Sequence, residues 1–425
     1  MSSDNKTSGA TALPNRKPVA TSGQAGMLSR WLAQKLLQAS GNPRVRIRLW
    51  DKTELRVEDG PTPIATMRVH TRPALWRLAL RPDLFFGEGY MSGEIEVDGD
   101  LVAFLEEVYR AGDHDSTGTL RDWARRVLAH RKTNSLLGSR SNIHHHYDIG
   151  NEFYRLWLDT AAMQYTCAYF PHMDASLEQA QVAKLDHVCR KLQLRPGQTV
   201  IEAGCGWGGL ARHMAREYGV TVRAYNISHE QVRYARERAA AEGLADRVEY
   251  VEDDYRNISG QCDAFVSVGM LEHVGPEHYV ELGRVIDRVL SLRGRGLIHS
   301  IGRNRAAPMN AWIERRIFPG AHPPSLREMM DIFEEHQFSI LDVENLRPHY
   351  AETLRHWLDR YELQLDKVEE MFDAPFIRAW RLYLAGSIAA FTTGELQLFQ
   401  VAFTRHANND IPLTREYLYR TGADS

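Results

Sequence analysis

Short apolar runs alternate with amphipathic helical patterns between residues 198 and 302. Strands are predicted at residues 199–201, 220–225, 247–251, 264–268 and 296–301, and helices at residues 210–218, 230–241 and 277–292. Strands and helices that alternate in this way are typical of a parallel sheet covered by helices on both faces. We therefore expect an α/β fold with a doubly wound, mostly parallel sheet, whose ligands bind at the carboxyl ends of the strands.

The first quarter of the chain has a different pattern. It predicts a helix at residues 27–39, a strand or hairpin at 45–57, short strands at 64–69 and 94–97, and a helix at 101–110. These elements indicate a small N-terminal α+β domain, which we place at residues 27–112.

The remaining domain boundaries follow from composition. Residues 1–26 are rich in Ser, Thr, Gly, Ala and Pro and lack the apolar centre of a signal peptide, so they predict a disordered tail. Residues 113–140 predict a basic linker or helix, because residues 121–140 carry six basic residues against one acidic residue. The alternating region belongs to a second domain, at residues 141–425.

Composition also narrows the class of protein. The chain of 425 residues has 52 Lys and Arg against 55 Asp and Glu, so no excess of positive charge indicates a nucleic-acid partner. Its four cysteines form no C-x-x-C pair, which argues against a zinc ribbon or a disulfide framework and suits a reducing cytosol. The longest nearly uncharged apolar run, residues 382–391, is about half of the roughly 20 residues that a membrane-spanning helix needs. We therefore expect a cytoplasmic protein.

The first strand of the alternating region runs into a glycine-rich turn, E-A-G-C-G-W-G at residues 202–208. Glycines allow a tight turn and let a ligand approach the backbone closely. The pattern differs from G-x-G-x-x-G, in which a helix N-terminus receives a pyrophosphate. The carboxylate of Glu202 would repel a pyrophosphate, whereas it can pair with the amino group of S-adenosylmethionine. The turn therefore predicts a site for S-adenosylmethionine.

Polar side chains also follow the next strands. Asn226, after Tyr225 at the end of the second strand, is interpreted either as a hydrogen-bonding group for the ligand or as a turn asparagine. Asp254 and Tyr255 follow the third strand, where they either hold and stack on an adenine ring or form a solvated acidic turn. Both interpretations stay open for each pair.

Candidate metal and nucleophile sites give weaker signals. Glu272 and His273 directly follow the apolar fourth strand and should face the ligand crevice, but the second histidine of H-E-x-x-H is missing, so we predict no metal. The adjacent histidines at 144–146 cannot all face one ion in regular structure, and they indicate a loop with one functional or capping histidine. Cys167, in an aromatic segment, is by itself more typical of a core cysteine than of a site residue.

Six sequence blocks resemble, in order, the cyclopropane-fatty-acid synthase family, including its mycolic acid relatives. The resemblance covers roughly residues 140–405 and rests on H-Y-D-I-G-N at 146–151, Q-Y-T-C-A-Y at 164–169, E-A-G-C-G-W-G at 202–208, G-M-L-E-H-V-G at 269–275, I-F-P-G at 317–320 and F-Q-V at 399–401. The block F-G-E-G-Y-M-S-G at 86–93 also resembles the small first domain of the bacterial members. The resemblance implies a Rossmann-like class I methyltransferase fold.

The resemblance further implies methyl transfer from S-adenosylmethionine to a cis double bond of an acyl chain, followed by proton loss and closure of a cyclopropane ring. Methylation of an alkene leaves a carbocation that water would trap, so the pocket must be dry, apolar and supplied with a nearby base. In the family this base is a bound bicarbonate.

Specific residues carry over from the family. The bicarbonate ligands implied by the resemblance are Cys167, Glu272, His299, Ile301 and Tyr350. Ile301 can contribute only its backbone, and Glu272 must act through a shared proton or by orienting His299, since two bare anions repel each other. The implied cofactor ligands are Tyr165, Thr166, Gly204, Cys205, Gly206, Tyr225, Asn226, Gln231, Tyr255 and Arg256. Serine is usual in the family where Thr166 stands, and threonine where Asn226 stands.

The implied substrates are unsaturated acyl chains of membrane phospholipids. Basic and apolar side chains alternate in residues 121–140 and around Arg303, Arg305, Arg315 and Arg316, which suits either an anionic membrane surface or a solvated helical face. We expect a cytoplasmic enzyme, peripherally bound to the inner face of the membrane, whose small first domain serves lipid engagement or a homodimer. Alternatives are a relative that leaves a methyl or methylene branch, a lipid-binding or regulatory protein, and a small-molecule methyltransferase.

Overall fold

A computed structural model of the chain describes residues 23–57, 60–113 and 149–419. The predicted tail up to residue 22, most of the basic linker and the histidines at 144–146 therefore lie outside the described residues.

The N-terminal part forms a small sheet with four helices. Its strands are β1 (Val45–Arg48), β2 (Glu54–Leu55), β3 (Ala65–Val69) and β4 (Ile95–Asp98), and its helices are α1 (Met27–Ala39), α2 (Arg72–Leu80), α3 (Pro82–Ser92) and α4 (Leu101–Asp113). The strand order is β2-β1-β3-β4, with β1 and β3 parallel and the outer strands antiparallel to them. The predicted hairpin is the β1–β2 pair. The sequence pattern did not predict α2 and α3.

The larger sheet has seven strands. They are β5 (Thr199–Ala203), β6 (Thr221–Asn226), β7 (Val248–Glu252), β8 (Cys262–Val268), β9 (Leu290–Gly302), β10 (Phe338–Asn345) and β11 (Gln397–Arg405). Their order is β10-β11-β9-β8-β5-β6-β7, parallel from β9 to β7, whereas β11 is antiparallel to β9 and β10. This confirms the predicted mostly parallel sheet. The direction of winding reverses between β5 and β8, where ligands bind in such folds.

Helices cover both faces of this sheet. They are α5 (Asn151–Arg155), α6 (Leu177–Leu192), α7 (Gly209–Tyr218), α8 (His229–Ala241), α9 (Tyr279–Val289), α10 (Ala311–Arg316), α11 (Leu326–Met329), α12 (Arg347–Leu363), α13 (Leu365–Met371) and α14 (Ala374–Thr393). A capping box of Ser176 and Gln179 starts α6, and the Ser228 hydroxyl accepts the Gln231 N–H at the start of α8. These caps fix the helix starts beside the strand ends.

The apolar run at residues 382–391 forms the last turns of α14. Leu384 and Ala385 are fully buried, and α14 packs against α3, α4 and α12. In the described residues, we find no helix with the length and apolarity required to span a bilayer. The apolarity of this run is therefore explained by packing within the protein.

The small sheet and the C-terminal helices share one hydrophobic core. Leu75 and Ile95 belong to the same buried cluster as Trp157 and Trp380. The Arg378 guanidinium donates to the Ile95 carbonyl oxygen at 3.2 Å, which ties α14 to β4. This packing brings α3 and α4 to the larger sheet, where they border the site described next.

Candidate active site

The cleft between β5 and β8 is shaped by the glycine-rich turn. Gly204 and Gly208 adopt φ angles of 83° and 75°. A Cβ atom at Gly204 would lie 2.8 Å from the Met270 Cβ, and one at Gly208 would lie 2.4 Å from the Tyr250 hydroxyl oxygen. Glycine is therefore required at both positions for the left-handed backbone and for space.

The turn borders a cleft of about 130 Å³. The ends of β6, β7 and β8 and the segment before α6 complete its walls. The structure brings together there all residues predicted to bind the cofactor except Arg256, namely Tyr165, Thr166, Glu202, Gly204, Cys205, Gly206, Tyr225, Asn226, Gln231, Asp254 and Tyr255.

Arg256 points elsewhere. Its guanidinium carbon lies 4.7 Å from the centroid of the Tyr255 ring, and it forms ion pairs with Asp254 at 3.1 Å and Glu281 at 3.2 Å. The Asp254 carboxylate, which also accepts the Arg256 N–H at 3.0 Å, is thereby neutralised. Arg256 thus orients Tyr255 and Asp254 at the cleft and does not itself line it.

Asn226 bridges two parts of the cleft. Its amide nitrogen donates to the Gly206 carbonyl oxygen at 3.2 Å and to Gln231 Oε1 at 2.8 Å. Its amide oxygen accepts the Ser228 N–H at 3.3 Å. The side chain therefore joins the glycine-rich turn to the start of α8 while it lines the cleft, so it combines elements of both sequence interpretations.

Glu202 is the buried acid of the cleft. Its side chain is 2% exposed, and Oε2 has no hydrogen-bond partner among the described residues. Burial raises the pKa of Glu202 to about 7, against the opposing charges of Lys184 and Arg212. A cation in the cleft would supply the missing partner and restore the carboxylate, which is the interaction expected with the ammonium group of S-adenosylmethionine.

A second, larger cavity of about 530 Å³ adjoins the cleft. Tyr165, Thr166, Gly269 and His273 line both spaces, so the two meet at the ends of β8 and the segment before α6. Most of the cavity wall is apolar. It includes Phe86, Leu105, Trp312, Phe318, Leu382 and Phe391, which come from α3, α4, α10, α14 and the segment after α10.

Four of the predicted catalytic residues line this cavity: Glu272, His299, Ile301 and Tyr350. Glu272 and Tyr350 are 7% exposed and His299 is 1% exposed. Glu272 Oε2 and His299 Nε2 have no hydrogen-bond partner in the described part of the chain. Glu272 Oε2 and His299 Nε2 are therefore unpaired polar atoms in a largely apolar wall, and such atoms call for a polar guest.

The protonation states of these groups follow from burial. It raises the pKa of Glu272 to about 7, and it lowers the pKa of His299 well below its usual value, with Lys184 and Lys191 acting in the same direction. The Gln400 amide nitrogen lies 3.0 Å from His299 Nδ1, and as its donor it leaves the ring proton on Nε2. His299 is thus oriented by Gln400, and Glu272 makes no contact with it that would orient it.

Ile301 and Cys167 occupy different positions from those that a direct ligand role requires. The Ile301 N–H donates to Glu272 Oε1 at 2.6 Å, so this backbone group positions Glu272. The Cys167 side chain lines neither cavity, and its Sγ lies 3.1 Å from the Ala168 carbonyl oxygen. Burial raises the pKa of Cys167. Its thiol is therefore a neutral core group, in line with the interpretation from residue type alone.

The described ranges contain no group of three or more His, Cys, Asp or Glu side chains arranged to hold a metal ion. His273 lies beside Glu272, and burial lowers its pKa to about 4. Its ring centroid is 6.0 Å from that of Phe318. His273 is therefore a neutral side chain at the junction of the cleft and the cavity.

Comparison with known proteins places this site in a family. The model of the family described as mycolic acid cyclopropane synthetase matches residues 134–401, and a domain of unknown function matches residues 32–118. The chain belongs to the mycolic acid cyclopropane synthetase family. As a member of that family it is an S-adenosylmethionine-dependent methyltransferase that acts on fatty acyl chains.

Individual relatives of this cyclopropane synthetase family member match most of the chain. A probable fatty acid methyltransferase of Pseudomonas putida is 36% identical over 88% of this chain and 96% of its own. The cyclopropane-fatty-acyl-phospholipid synthase of Escherichia coli strain K12 is 38% identical over 83% of this chain and 91% of its own. The solved structure of mycolic acid cyclopropane synthase CmaA1 complexed with SAH and CTAB matches with a TM-score of 0.60 and 28% identity, over 63% of this chain and 98% of that one.

A buried lysine that no sequence pattern indicated lies beneath the cofactor cleft of this cyclopropane synthetase family member. Lys184 is fully buried on α6, and its ammonium group donates to Gln164 Oε1 and, at 2.9 Å, to Thr166 Oγ1. Burial lowers the pKa of Lys184 to about 8. No sequence motif marks this residue, because a lysine on an amphipathic helix usually faces solvent. Its contacts identify it as a positioning residue for the segment that carries Tyr165 and Thr166.

We expect Lys184→Met to weaken binding of S-adenosylhomocysteine about 10-fold, because Gln164 and Thr166 lose a charged hydrogen-bond donor. Isothermal titration calorimetry measures this change. Lys191→Met is the matched control, because Lys191 is equally buried two helical turns further on and pairs with Glu344 at 2.6 Å, away from the cleft. Both variants should unfold at lower temperature, but only Lys184→Met should change the affinity. An equal loss of affinity in both would contradict the positioning role.

Proposed function

We propose that the chain transfers a methylene group from S-adenosylmethionine to the cis double bond of unsaturated phospholipid acyl chains, with bicarbonate as general base. The observation that carries the proposal is the junction of the two spaces. The cofactor cleft meets, at Thr166 and Gly269, an apolar cavity whose inner end presents Glu272 and His299. A sulfonium methyl group in the cleft and an alkene in the cavity would therefore meet beside these polar groups.

The donor set fits a small anion. With its pKa near 7, Glu272 carries a proton in a large part of the molecules at neutral pH and can donate through Oε2. His299, held by Gln400, can donate through Nε2. Tyr350 lines the same cavity and brings a hydroxyl group. These residues would hold bicarbonate, and the chemistry that it supplies is removal of the proton from the transferred methyl group.

Neutral donors also resolve the problem of two adjacent anions. A fully charged Glu272 would repel bicarbonate, whereas its protonated form shares a proton with it. The alternative in which Glu272 orients His299 is not supported, because His299 is held by Gln400 and Glu272 is held by the Ile301 N–H. We therefore propose that Glu272 acts through the shared proton, and that Ile301 and Cys167 contribute through position and packing.

The apolar wall serves the other requirement of the reaction. Trp312, Phe318, Leu382 and Phe391 line the cavity with rings and alkyl groups, and Trp312 is 3% exposed. Such a wall binds an acyl chain through the hydrophobic effect and keeps water away from a developing carbocation. It gives no support to a small polar methyl acceptor.

We further propose that the chain works as a peripheral protein at an anionic membrane surface. Of the basic residues that the sequence analysis singled out, Arg305 is exposed, whereas Arg316 forms a bidentate contact with Glu88 at 2.7 and 2.8 Å. Arg316 therefore joins α10 to α3, and its charge is less available to an anionic membrane surface than that of Arg305. Arg315 Nε lies 3.9 Å from the same carboxylate, so in this region the proposal rests on the exposed Arg305.

Product analysis tests the proposed reaction. Vesicles of dioleoylphosphatidylglycerol incubated with the protein and S-adenosylmethionine should gain one CH₂ per reacting double bond, and the product should resist ozone. Mass spectrometry with and without ozonolysis reads out both properties. A product with a methyl or methylene branch would instead assign the alternative activity, that of a fatty-acyl methyltransferase that does not close a ring. Absence of any lipid product would refute both.

A further inference from the structure

The strand that carries His299 also carries a charged residue into the same cavity. Side chains alternate between the two faces of a strand, so His299, Ile301 and Arg303 share one face of β9 and its extension. All three line the large cavity. Residue 303 is in extended backbone too, since it forms a bridge with Ser325. These three residues thus form a row along the cavity. At one end His299 lies with Glu272 and Tyr350 in the group proposed to hold the base, which we call the base cluster, and at the other end lies the guanidinium group of Arg303.

The two positions differ in exposure. His299, at the inner end, is 1% exposed. The cavity residues near Arg303 include Pro308 and Asn310, which follow it in the chain and are exposed, as is Glu395. The cavity therefore opens at the Arg303 end and closes at the His299 end. Four residues of extended strand separate the Cα atoms by about 13 Å, which one acyl chain can span, since one leaflet of the hydrocarbon core is about 15 Å thick.

The guanidinium group of Arg303 is held in place but is not neutralised. Its Nη1 donates to the carbonyl oxygens of Ala307 at 3.2 Å and Pro308 at 2.8 Å. Its Nε has no partner, and Nη2 has the Met309 sulfur at 3.8 Å but no oxygen acceptor, within the part of the chain that the structure describes. The Nε–Nη2 edge is the planar fork that binds carboxylate and phosphate oxygens in pairs.

The surroundings of Arg303 also favour an incoming anion. Burial lowers the pKa of Arg303, and the charges of Glu395 and Glu328 only partly offset this effect. No carboxylate oxygen of the described residues lies within ion-pair distance of it. Tyr109, on α4, lines the cavity beside it, and the pKa of Tyr109 is raised by burial and by Glu395 and lowered by Arg303. A cation buried without an anion is costly, so the site gains stability when an anion binds.

We propose that Arg303, with the Tyr109 hydroxyl, binds the phosphodiester of the phospholipid headgroup at the open end of the cavity. This inference rests on the proposed function and adds to it the recognition of the substrate. A headgroup fixed at Arg303 places the acyl chain along the row towards His299. The distance between these residues then selects which carbons of the chain reach the base cluster. The N-terminal part of the protein takes part in this selection, because Tyr109 belongs to α4.

A comparison of lipids with the same chains tests the proposal. Neutral detergent micelles carry dioleoylphosphatidylglycerol, dioleoylglycerol or oleic acid at equal mole fraction, and product is measured by mass spectrometry. Arg303→Gln should raise KM for the phospholipid about 10- to 100-fold with little change in kcat, and should not affect dioleoylglycerol. Arg303→Lys should show an intermediate KM, because it keeps the charge but loses the fork. The control Arg293→Gln, on the same strand but exposed and outside the cavity, should match the wild type on every lipid.

Other outcomes would overturn the proposal in distinct ways. Equal loss on phospholipid and dioleoylglycerol would reduce Arg303 to a structural tie for residues 303–309, and no loss on any lipid would remove it from the substrate path. Selective loss on oleic acid would identify a site for a carboxylate. A separate binding experiment requires no turnover: the protein is saturated with S-adenosylhomocysteine, and the amount of each lipid that it retains is measured. If the wild type forms no product, the proposed function fails, and the retention experiment still tests this inference. Wild-type protein that retains the phospholipid in preference to the other lipids, and an Arg303→Gln variant that loses this preference, would uphold the inference. Equal retention of the phospholipid by wild type and variant would overturn it.

Discussion

Glu272→Gln should lower the rate of product formation about 10²- to 10⁴-fold, the range expected when acid–base catalysis is lost. Glutamine keeps the volume of Glu272, can still accept the Ile301 N–H and can donate a hydrogen bond through its amide nitrogen, but it cannot exchange a proton with an anion in the cavity. The substitution therefore separates proton sharing from packing. Single-turnover product formation by mass spectrometry measures the change, and titration with S-adenosylhomocysteine should show unchanged affinity.

The pH profile and a control variant sharpen this prediction. Burial raises the pKa of Glu272 to about 7, so the donating, protonated form is lost as pH rises through that value. The wild-type kcat/KM for lipid should therefore fall above about pH 7, and the residual activity of Glu272→Gln should lack this limb. Glu328→Gln is a suitable control, because Glu328 caps α11 through Ser325 outside both cavities. A comparable loss of activity in both variants would contradict a specific role for Glu272.

Much of the larger sheet could be predicted because its signals are local. The strand pattern and the glycine-rich turn depend on neighbouring residues, and they placed Glu202 and Glu272 correctly beside the switch point. Strands β10 and β11 and helices α12 to α14 were not assigned, because their identity depends on packing against β9 and against α3 and α4. Local periodicity does not contain that information.

The candidate site shows the same division. Some side chains gain their roles only when distant segments of the chain meet, as Lys184, Gln400 and Arg303 do. Residue type and spacing therefore gave no signal for the contacts of Lys184 and Gln400. Arg303 was interpreted from the sequence as a surface residue. Cys167 and Arg256 entered through family resemblance, and the structure leaves both side chains outside the two spaces. A shared motif fixes the backbone path of a site more reliably than it fixes which atom contacts a ligand.

Glu202→Gln should weaken binding of S-adenosylmethionine about 100-fold, because the ligand's ammonium group loses its buried carboxylate partner. The affinity of the wild type should also depend on pH. Burial raises the pKa of Glu202 to about 7 in the free protein, so below that pH the carboxyl group is neutral and cannot pair with the cation. Affinity should rise with pH up to about 7, and fall again once the ligand's amino group, with a pKa of about 8, loses its proton.

Calorimetric titrations with S-adenosylmethionine between pH 5.5 and 9 would measure this profile. In Glu202→Gln the acidic limb should disappear, because glutamine does not titrate, while the alkaline limb, which belongs to the ligand, should remain. Glu252→Gln is the matched control at the end of neighbouring β7, where Glu252 is exposed and pairs with His229 at 2.8 Å. It should reproduce the wild-type curve. An acidic limb that persists in Glu202→Gln would assign the titration to another group and would leave the charge of Glu202 without a role in cofactor binding.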